Sequence, residues 1–195
     1  VEPAGRAAMN RAHRMPFGAT VLEDGGVAFA LWAPSGGDVR LEHRPVGGEN
    51  TTHPMARDAR GWHTLTLPGA AHGDGYRFHL PDGTAVPDPA SRFNPEDVHG
   101  PSVVIDPRRH QWRDDAWRGR PWEEAVVYEL HIGAFTAEGT FNAARERLGD
   151  LAELGVTAIE LMPLADFPGR RNWGYDGVLQ FAPDASYGTP DELKA

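Results

Sequence analysis

The residues best suited to chemistry lie in one segment late in the sequence. The stretch 164–188 has no regular hydrophobic period, and it contains the aromatic residues Trp173 and Tyr175, the carboxylate Asp176 and the basic pair Arg170–Arg171. It follows a predicted buried strand, and α/β proteins place their functional groups at the carboxyl ends of parallel strands. An irregular segment this long inside a compact domain is usually either functional or a wrongly assigned element, and we take it as the candidate site.

Other kinds of site find little support in the sequence. Cysteine is absent, which excludes a thiolate metal site and a cysteine nucleophile. The nine histidines are scattered, without a pair at the helical metal-binding spacing. Neither a serine-centred nucleophile elbow nor a phosphate-binding glycine-rich loop occurs between a predicted strand and helix. We therefore predict neither a metal site nor a cofactor.

Three ionisable residues lie within or just after predicted apolar strands. His131 is placed near the carboxyl end of the first such strand, facing the candidate site, but a structural histidine bonded to the backbone is the favoured interpretation. Glu129 and Glu160 lie inside the apolar runs. Because buried carboxylates need partners, we predict that arginines or backbone donors satisfy them and that they are not catalytic acids.

Length and charge limit the possible classes of protein. The 195 residues allow one large domain or two small ones, and a complete (β/α)₈ barrel typically needs about 250 residues. The net charge of −9 argues against a nucleic-acid partner. No apolar run approaches the roughly 18 residues of a membrane span, and no secretory signal is visible at the start. We predict a cytoplasmic protein without a membrane partner.

Short alternating strands predict a β-sandwich over residues 16–106. Hydrophobic residues alternate with small or polar ones in 27–32, in 62–67 and in 76–80. Turn signals such as Asp24–Gly25 recur about every 8–12 residues, which is typical of a sandwich of antiparallel strands.

Two flanking segments lack such a pattern. Residues 1–15 predict a flexible N-terminal arm. Residues 107–124 predict a linker, and its Trp112, Trp117 and Trp122 are expected to lie against a domain surface because an exposed indole is costly.

The hydrophobic period changes after the linker. Residues 125–132 and 156–162 are nearly continuous apolar runs, typical of strands buried on both faces. Between them, Thr140 is a plausible N-cap and Gly155 a plausible end of one helix. A strand, a helix and a strand predict a βαβ unit with a right-handed crossover. Thr189–Glu192 has the spacing of a capping box and predicts another helix start.

Several strings in the sequence resemble a known family. The later part of the chain resembles the opening of a glycoside hydrolase family 13 barrel, the α-amylase family. The strings that carry this resemblance are VYELHIGAFTAEGTF (127–141), LGVTAIELMP (154–163), FPGRRNWGYDG (167–177) and YGTP (187–190). The third is the most selective, and it resembles the members that release trehalose from maltooligosyl trehalose. The strings FGATVLEDGGVAFALWAP (17–34) and PDPASRFNPEDVHGPSVVIDP (87–107) resemble an Ig-like domain of the carbohydrate-binding module 48 type.

The resemblance implies both a fold and a reaction. The fold is an Ig-like β-sandwich followed by residues 125–195 as the first βαβ of a truncated (β/α)₈ barrel. The reaction is hydrolysis of an α-1,4 bond in an α-glucan by a retaining mechanism, which uses two carboxyl groups about 5–5.5 Å apart. The family draws its nucleophilic Asp, acid Glu and stabilising Asp from barrel strands four, five and seven. This chain matches strands one and two, so we assign no catalytic residue and expect the chain alone to be inactive.

The resemblance also suggests substrate-binding residues. It places Tyr175 beneath the sugar at the cleavage subsite, where the ring stacks on the apolar face of glucose; the alternative is an aromatic ring that packs the loop. Asp176 either hydrogen-bonds sugar hydroxyls or braces the loop, and Trp173 either binds sugar or packs. Arg170–Arg171 either lines the sugar channel or is a solvated pair.

Two alternative functions stay open. The first is another member of the same family, such as a glycogen branching or debranching enzyme. The second is a carbohydrate-binding protein without catalysis. For that second case, Trp32 and Trp62 in the sandwich are candidates for a sugar platform, although packing in the core is the default for alternating aromatic residues.

Overall fold

The computed structural model describes residues 15–114 and 116–195, so nearly all of the predicted arm 1–15 lies outside the described residues. The earlier part of the chain consists of short strands joined by turns. They are β1 (Gly18–Val21), β2 (Val27–Trp32), β3 (Arg40–Arg44), β4 (Thr51–Pro54), β5 (Ala56–Arg57), β6 (Trp62–Leu67), β7 (Gly75–His79), β8 (Ala85–Val86) and β9 (Ser102–Val103).

These strands form two antiparallel sheets. One has the strand order β1-β2-β6-β5, and the other has the order β4-β3-β7-β8, with β9 also pairing with β7. The inward residues Phe29 of the first sheet and Leu41 and Phe78 of the second are at most 1% exposed and share one hydrophobic core. The predicted β-sandwich is confirmed, because alternate side chains of each strand point to that core.

The tryptophan pair of the sandwich lies on its outer face. Trp32 and Trp62 are direct partners across β2 and β6, and the Trp32 side chain is 59% exposed. The default expectation of core packing is therefore wrong for Trp32. The pleat explains why, since Leu31 takes the inward position and its neighbour must point outward.

The predicted linker contains the 3₁₀ turns Pro107–Arg109 and Trp122–Glu124. The expectation that its tryptophans lie against a domain surface is wrong. Trp112, Trp117 and Trp122 are 48%, 66% and 81% exposed.

The later part of the chain begins with the predicted βαβ unit. Its elements are β10 (Val127–Leu130), α1 (Ile132–Phe135), α2 (Phe141–Glu146), α3 (Leu148–Leu154) and β11 (Ala158–Leu161). β10 and β11 are parallel, with Val127 opposite Ala158. The Thr140 hydroxyl accepts the Ala143 N–H, and Gly155 is left-handed with φ 97°, so both helix boundaries are confirmed.

The predicted single helix is divided into α2 and α3 at Arg147. The Arg147 N–H donates to the carbonyl of Ala144, three residues earlier, at 3.0 Å. Such a 3₁₀-type bond tightens the turn and ends the regular α-helical ladder. The first strand also ends earlier than predicted, at Leu130, because Ile132 already belongs to α1.

The prediction that both apolar strands are buried on both faces is wrong for this chain. Val127, Tyr128 and Ile159 are between 37% and 47% exposed. Glu129 and Glu160 are exposed as well, and they lie directly opposite each other across the strands. The reason is that β10 and β11 form a two-stranded sheet within the described residues, so few neighbours cover its faces.

The stretch 164–188 is more regular than the sequence predicts. It contains an antiparallel pair, β12 (Ala165–Asp166) and β13 (Leu179–Pro183), and it is followed by α4 (Pro190–Lys194) with the predicted capping box. None of the helices in the described ranges is long and apolar enough to cross a membrane.

The strand pair β12–β13 packs on the sandwich. Val98 from a sandwich loop shares a small buried cluster with Leu179 and Ala182. The rings of Phe17 and Phe181 lie 5.6 Å apart between centroids.

Candidate functional site

The candidate site is the loop that joins β12 to β13, residues 167–178, which we call the aromatic loop. Its two ends are tied together, because the Val178 N–H donates to the Asp166 carbonyl at 2.7 Å. The loop contains Trp173 and Tyr175 and also the exposed residues Asp176, Arg170 and Arg171. All the predicted substrate-binding residues therefore lie in one short loop, and the paired strands β12 and β13 form its stem.

The middle of the aromatic loop rests on the carboxyl ends of the two parallel strands. Met162 and His131 directly follow these strands, and a Cβ built on Gly174 would lie 3.0 Å from Met162 Cε and 3.7 Å from His131 Cδ2. Gly174 has φ 115°, a conformation that L side chains rarely adopt. Glycine at this position therefore allows both the backbone turn and its close approach to the strand ends.

His131 holds the aromatic loop through the backbone. Its Nε2 donates to the Asn172 carbonyl at 2.8 Å, and the side-chain oxygen of Asn172 accepts the Gly174 N–H at 2.7 Å. The His131 ring also packs edge-on against Tyr187. The structural interpretation of His131 is thus correct, and its backbone bond fixes the residue before Trp173.

The loop brings two of the predicted residues into contact. The rings of Trp173 and Tyr175 lie 5.2 Å apart between centroids, with their planes inclined by 59°. Trp173 is 67% exposed and Tyr175 is 60% exposed, so neither ring is used to pack the loop against the rest of the chain. Two adjacent aromatic rings in water, on a loop held by Gly174 and His131, form a surface that can stack on an apolar ligand face.

A buried acidic pair at the base of the loop could not be recognised from the sequence. Asp166 and Asp184 are 1% and 2% exposed. Burial raises the pKa of Asp166 to about 7, and the negative charges of Asp184 and Asp97 act in the same direction. The two carboxylates are 18 positions apart in the sequence, and the pairing of β12 with β13 brings them together.

Among residues 15–114 and 116–195, no three His, Cys, Asp or Glu side chains lie together as a group that could hold an ion.

Comparison with known proteins agrees with the geometry. Residues 16–107 match carbohydrate-binding module 48, described as the isoamylase N-terminal domain. The chain is 48% identical over 180 residues to the malto-oligosyltrehalose trehalohydrolase of Saccharolobus solfataricus, with 92% of this chain and 31% of the relative covered. It is 44% identical to the enzyme of the same name from Deinococcus radiodurans, with 100% of this chain and 32% of the relative covered.

More distant relatives have other activities. A 1,4-alpha-glucan branching enzyme of Vibrio cholerae is 37% identical, with 87% of this chain and 25% of the relative covered. Identity to this branching enzyme is lower than to the two trehalohydrolases.

Solved structures show the same architecture. A Salmonella typhimurium protein assigned as an alpha amylase superposes with a TM-score of 0.86 at 49% identity, covering 92% of this chain and 30% of that one. The pullulanase of Anoxybacillus sp. LM18-11 in complex with maltotetraose superposes with a TM-score of 0.76 at 27% identity, covering 93% and 32%.

The chain thus spans about a third of the length of the relatives it matches, and it corresponds to their N-terminal part. The sandwich, the parallel strand pair and the aromatic loop all lie in that shared part. The chain is therefore similar to the N-terminal part of the malto-oligosyltrehalose trehalohydrolases of the α-amylase family, and its residues 16–107 match carbohydrate-binding module 48.

Proposed function

We propose that the chain is the N-terminal part of a retaining glycoside hydrolase that releases trehalose from maltooligosyl trehalose, and that its aromatic loop binds the α-glucan. The observation that carries the binding role is the exposed pair Trp173–Tyr175, which is supported from below by His131 and Gly174. A well-supported loop does not need two exposed rings for its own stability, because burial of aromatic surface is what stabilises a fold.

The surroundings of the two rings suit a sugar. Pyranose rings have an apolar face that stacks on an aromatic ring and a rim of hydroxyl groups that hydrogen-bond to charged side chains. Asp176 directly follows Tyr175, and Arg170 and Arg171 precede Trp173, all exposed to solvent. We propose that Tyr175 and Trp173 stack on glucose units while Asp176 binds their hydroxyls. The pullulanase that shares this fold was solved with maltotetraose, which supports an α-glucan as the ligand class.

We further propose the following domain organisation. Residues 16–106 form the β-sandwich of the carbohydrate-binding module 48 type, 107–124 a linker and 125–195 the opening of a catalytic barrel. The family's catalytic carboxylates belong to later barrel strands, so this chain contributes substrate binding and no acid, base or nucleophile. The absence of cysteine fits a reducing compartment, and we propose that the protein acts in the cytoplasm.

Binding of maltotetraose to the chain tests the aromatic loop. We expect Tyr175→Ala and Trp173→Ala each to weaken the affinity measured by calorimetry or NMR titration by roughly tenfold, which corresponds to about 1.4 kcal/mol. Trp122→Ala is the matched control, because Trp122 is 81% exposed and lies outside the loop. Unchanged affinity in both loop variants would remove the loop from the binding site.

The same titration separates the loop from the sandwich. Trp32 is exposed on the outer face of the sandwich, and its indole N–H donates to the Arg60 carbonyl. If glycan binding resides in the sandwich, Trp32→Ala will lower the affinity and Tyr175→Ala will not. The proposed function predicts the opposite order.

Product analysis tests the reaction. We expect the full-length protein that contains this chain to release trehalose from maltooligosyl trehalose, and we expect the 195-residue chain alone to release none. A full-length protein that transfers glucan branches instead would support the branching-enzyme alternative. Trehalose release by the isolated chain would show that it holds catalytic groups of its own.

A further inference from the structure

The acidic pair Asp166–Asp184 closes the stem of the aromatic loop. Asp166 ends β12, and Asp184 directly follows β13. The oxygens of Asp184 are supplied with donors: Oδ1 accepts the Ser186 N–H at 2.8 Å and the Ser186 hydroxyl, and Oδ2 accepts the Phe167 N–H at 3.1 Å. In contrast, Oδ2 of Asp166 is buried without a hydrogen-bond partner within the described part of the chain.

A proton on Asp166 would remove both the repulsion between the two carboxylates and the cost of the buried oxygen that lacks a donor. Two buried, ionised carboxylates that face each other repel, and a buried oxygen without a donor loses the hydrogen bond that water would give it. Asp166 and Asp184 line the same cavity, and the charge of Asp184 favours the protonated form of Asp166. A protonated Asp166 would donate to Asp184, which is the better hydrogen-bonded of the two carboxylates because it already accepts from Ser186 and Phe167.

Other charged groups face the pair from the elements around it. Asp97, in a sandwich loop, accepts the Val98 N–H at 2.6 Å and the Gly169 N–H at 2.9 Å, and its charge also favours a proton on Asp166. Glu96 from the same sandwich loop and Arg170 from the aromatic loop line the cavity that contains Asp166 and Asp184, and both are exposed.

The ionisation of Asp166 acts where the aromatic loop is held. The Asp166 carbonyl accepts the Val178 N–H, which ties the two ends of the loop. Asp184 holds the Phe167 N–H at the start of the loop, and Asp97 holds the Gly169 N–H two residues later. A new negative charge at Asp166 would therefore strain several contacts that fix the loop on which Trp173 and Tyr175 lie.

We propose that Asp166 is a positioning residue for the aromatic loop: protonated, it hydrogen-bonds to Asp184 and closes the stem, and its ionisation loosens the stem and weakens α-glucan binding. The choice of an α-glucan as the ligand rests on the proposed function above. The raised pKa of Asp166, about 7 against an ordinary 3.8, supports this device. The closed stem is favoured below that value, and it is lost as the pH rises through it.

The proton can be measured without any ligand. Carbon-13 NMR of the aspartate carboxyl groups in the whole chain should show Asp166 titrating near neutral pH, with its signal identified by its loss in Asp166→Asn. The amide signals of Phe167 and Val178 should titrate with the same midpoint in the wild type and stay constant in Asp166→Asn. An Asp166 carboxyl that titrates below pH 5 would overturn the proposal.

A second variant keeps this test valid if Asp166→Asn does not fold. Asp184→Asn removes the neighbouring charge and leaves Asp166 in place. The Asp166 titration should then move to lower pH. An Asp166 midpoint that is the same with and without the Asp184 charge would contradict the coupling on which the proposal depends.

Maltotetraose affinity as a function of pH tests the positioning role. We expect the wild-type affinity to fall by roughly five- to tenfold between pH 6 and 8.5, and the affinity of Asp166→Asn to stay constant. Asp24→Asn, in an exposed sandwich turn, is the control and should keep the wild-type profile. Wild-type binding that is equal at both pH values would overturn the inference and leave the proposed function intact. Absence of binding at every pH would instead overturn the proposed function, and the NMR titration would still decide the state of Asp166.

Discussion

At the scale of single residues, the sandwich shows how a buried polar group is satisfied. Asp88 is 1% exposed, and its Oδ2 accepts the Tyr76 hydroxyl at 2.7 Å while its Oδ1 accepts the Ala90 N–H at 2.8 Å. Burial raises the pKa of Asp88 to about 6, because these bonds offset only part of the cost of desolvating the charge. The backbone N–H of Asp88 donates to the Ser102 hydroxyl, which completes the network.

Removing the tyrosine hydroxyl should destabilise the sandwich. Tyr76→Phe leaves one Asp88 oxygen buried without its donor, and we expect the free energy of unfolding to fall by about 1–3 kcal/mol. Urea denaturation measures the change. Tyr128→Phe is the control, because Tyr128 is 40% exposed. Equal effects of the two variants would show that the Tyr76 hydroxyl contributes nothing specific.

Asp88 should also make stability depend on pH. Its pKa in the folded chain, about 6, lies above its ordinary 3.8, so the folded state holds a proton that the unfolded state releases. Stability relative to Asp88→Asn should therefore fall as the pH rises from about 4 to about 6 and then stay level, by up to about 3 kcal/mol. Denaturation of both proteins at several pH values gives this difference, and a difference that does not vary with pH would contradict it.

At the scale of elements, the aromatic loop depends on its fit to the strand ends. Gly174 lies against Met162 and His131, whereas Gly169 has a similar positive φ of 86° with no heavy atom within 4 Å of a built Cβ. Substitution of Gly169 would therefore introduce backbone strain alone, whereas substitution of Gly174 would introduce both strain and steric contact.

This contrast gives a matched pair of variants. Both Gly169→Ala and Gly174→Ala should cost about 1–2 kcal/mol from backbone strain. Gly174→Ala should in addition displace the loop, which would appear as NMR shift changes at His131 and Met162 and as weaker maltotetraose binding. Identical shift changes and affinities in the two variants would show that the close approach at Gly174 does not position the loop.

At the scale of the whole molecule, the loop stem joins the sandwich to the βαβ unit. Val98 packs on Leu179 and Ala182, and the Asp97 carboxylate accepts the Gly169 N–H. Both contacts come from one short sandwich loop, in which Asp97 has φ 71°. The carbohydrate-binding module thereby contributes directly to holding the aromatic loop.

Shortening a side chain in this cluster should destabilise the stem of the aromatic loop. Val98→Ala removes two methyl groups' worth of buried apolar surface, and we expect a loss of about 1–2 kcal/mol. Amide hydrogen exchange at Val178 and Gly169 should accelerate by roughly tenfold if the stem opens locally. Val46→Ala is the control, because Val46 is 78% exposed. Exchange at these amides that is unaffected by Val98→Ala would show that the sandwich does not support the stem.

Much of this organisation is readable from local patterns. Alternation in β2, β6 and β7 predicted the strands of the sandwich, since apolar residues at every second position indicate a half-buried β-strand. Thr140, Gly155 and Thr189 marked helix boundaries through chemistry that acts within a few residues. The grouping of Trp173, Tyr175 and Asp176 in one segment after a parallel strand identified the candidate site, because all three are neighbours in the chain.

Contacts between distant residues were decided by the tertiary structure. The sequence placed apolar runs at β10 and β11, but their exposure depends on which elements cover them. It suggested Trp32 as a core residue, although the pleat turns it outward. The acidic pair Asp166–Asp184 carries no sequence signal, because each aspartate alone resembles a loop residue. Their meeting and their burial arise because β13 returns beside β12, where the strand pair packs against the sandwich.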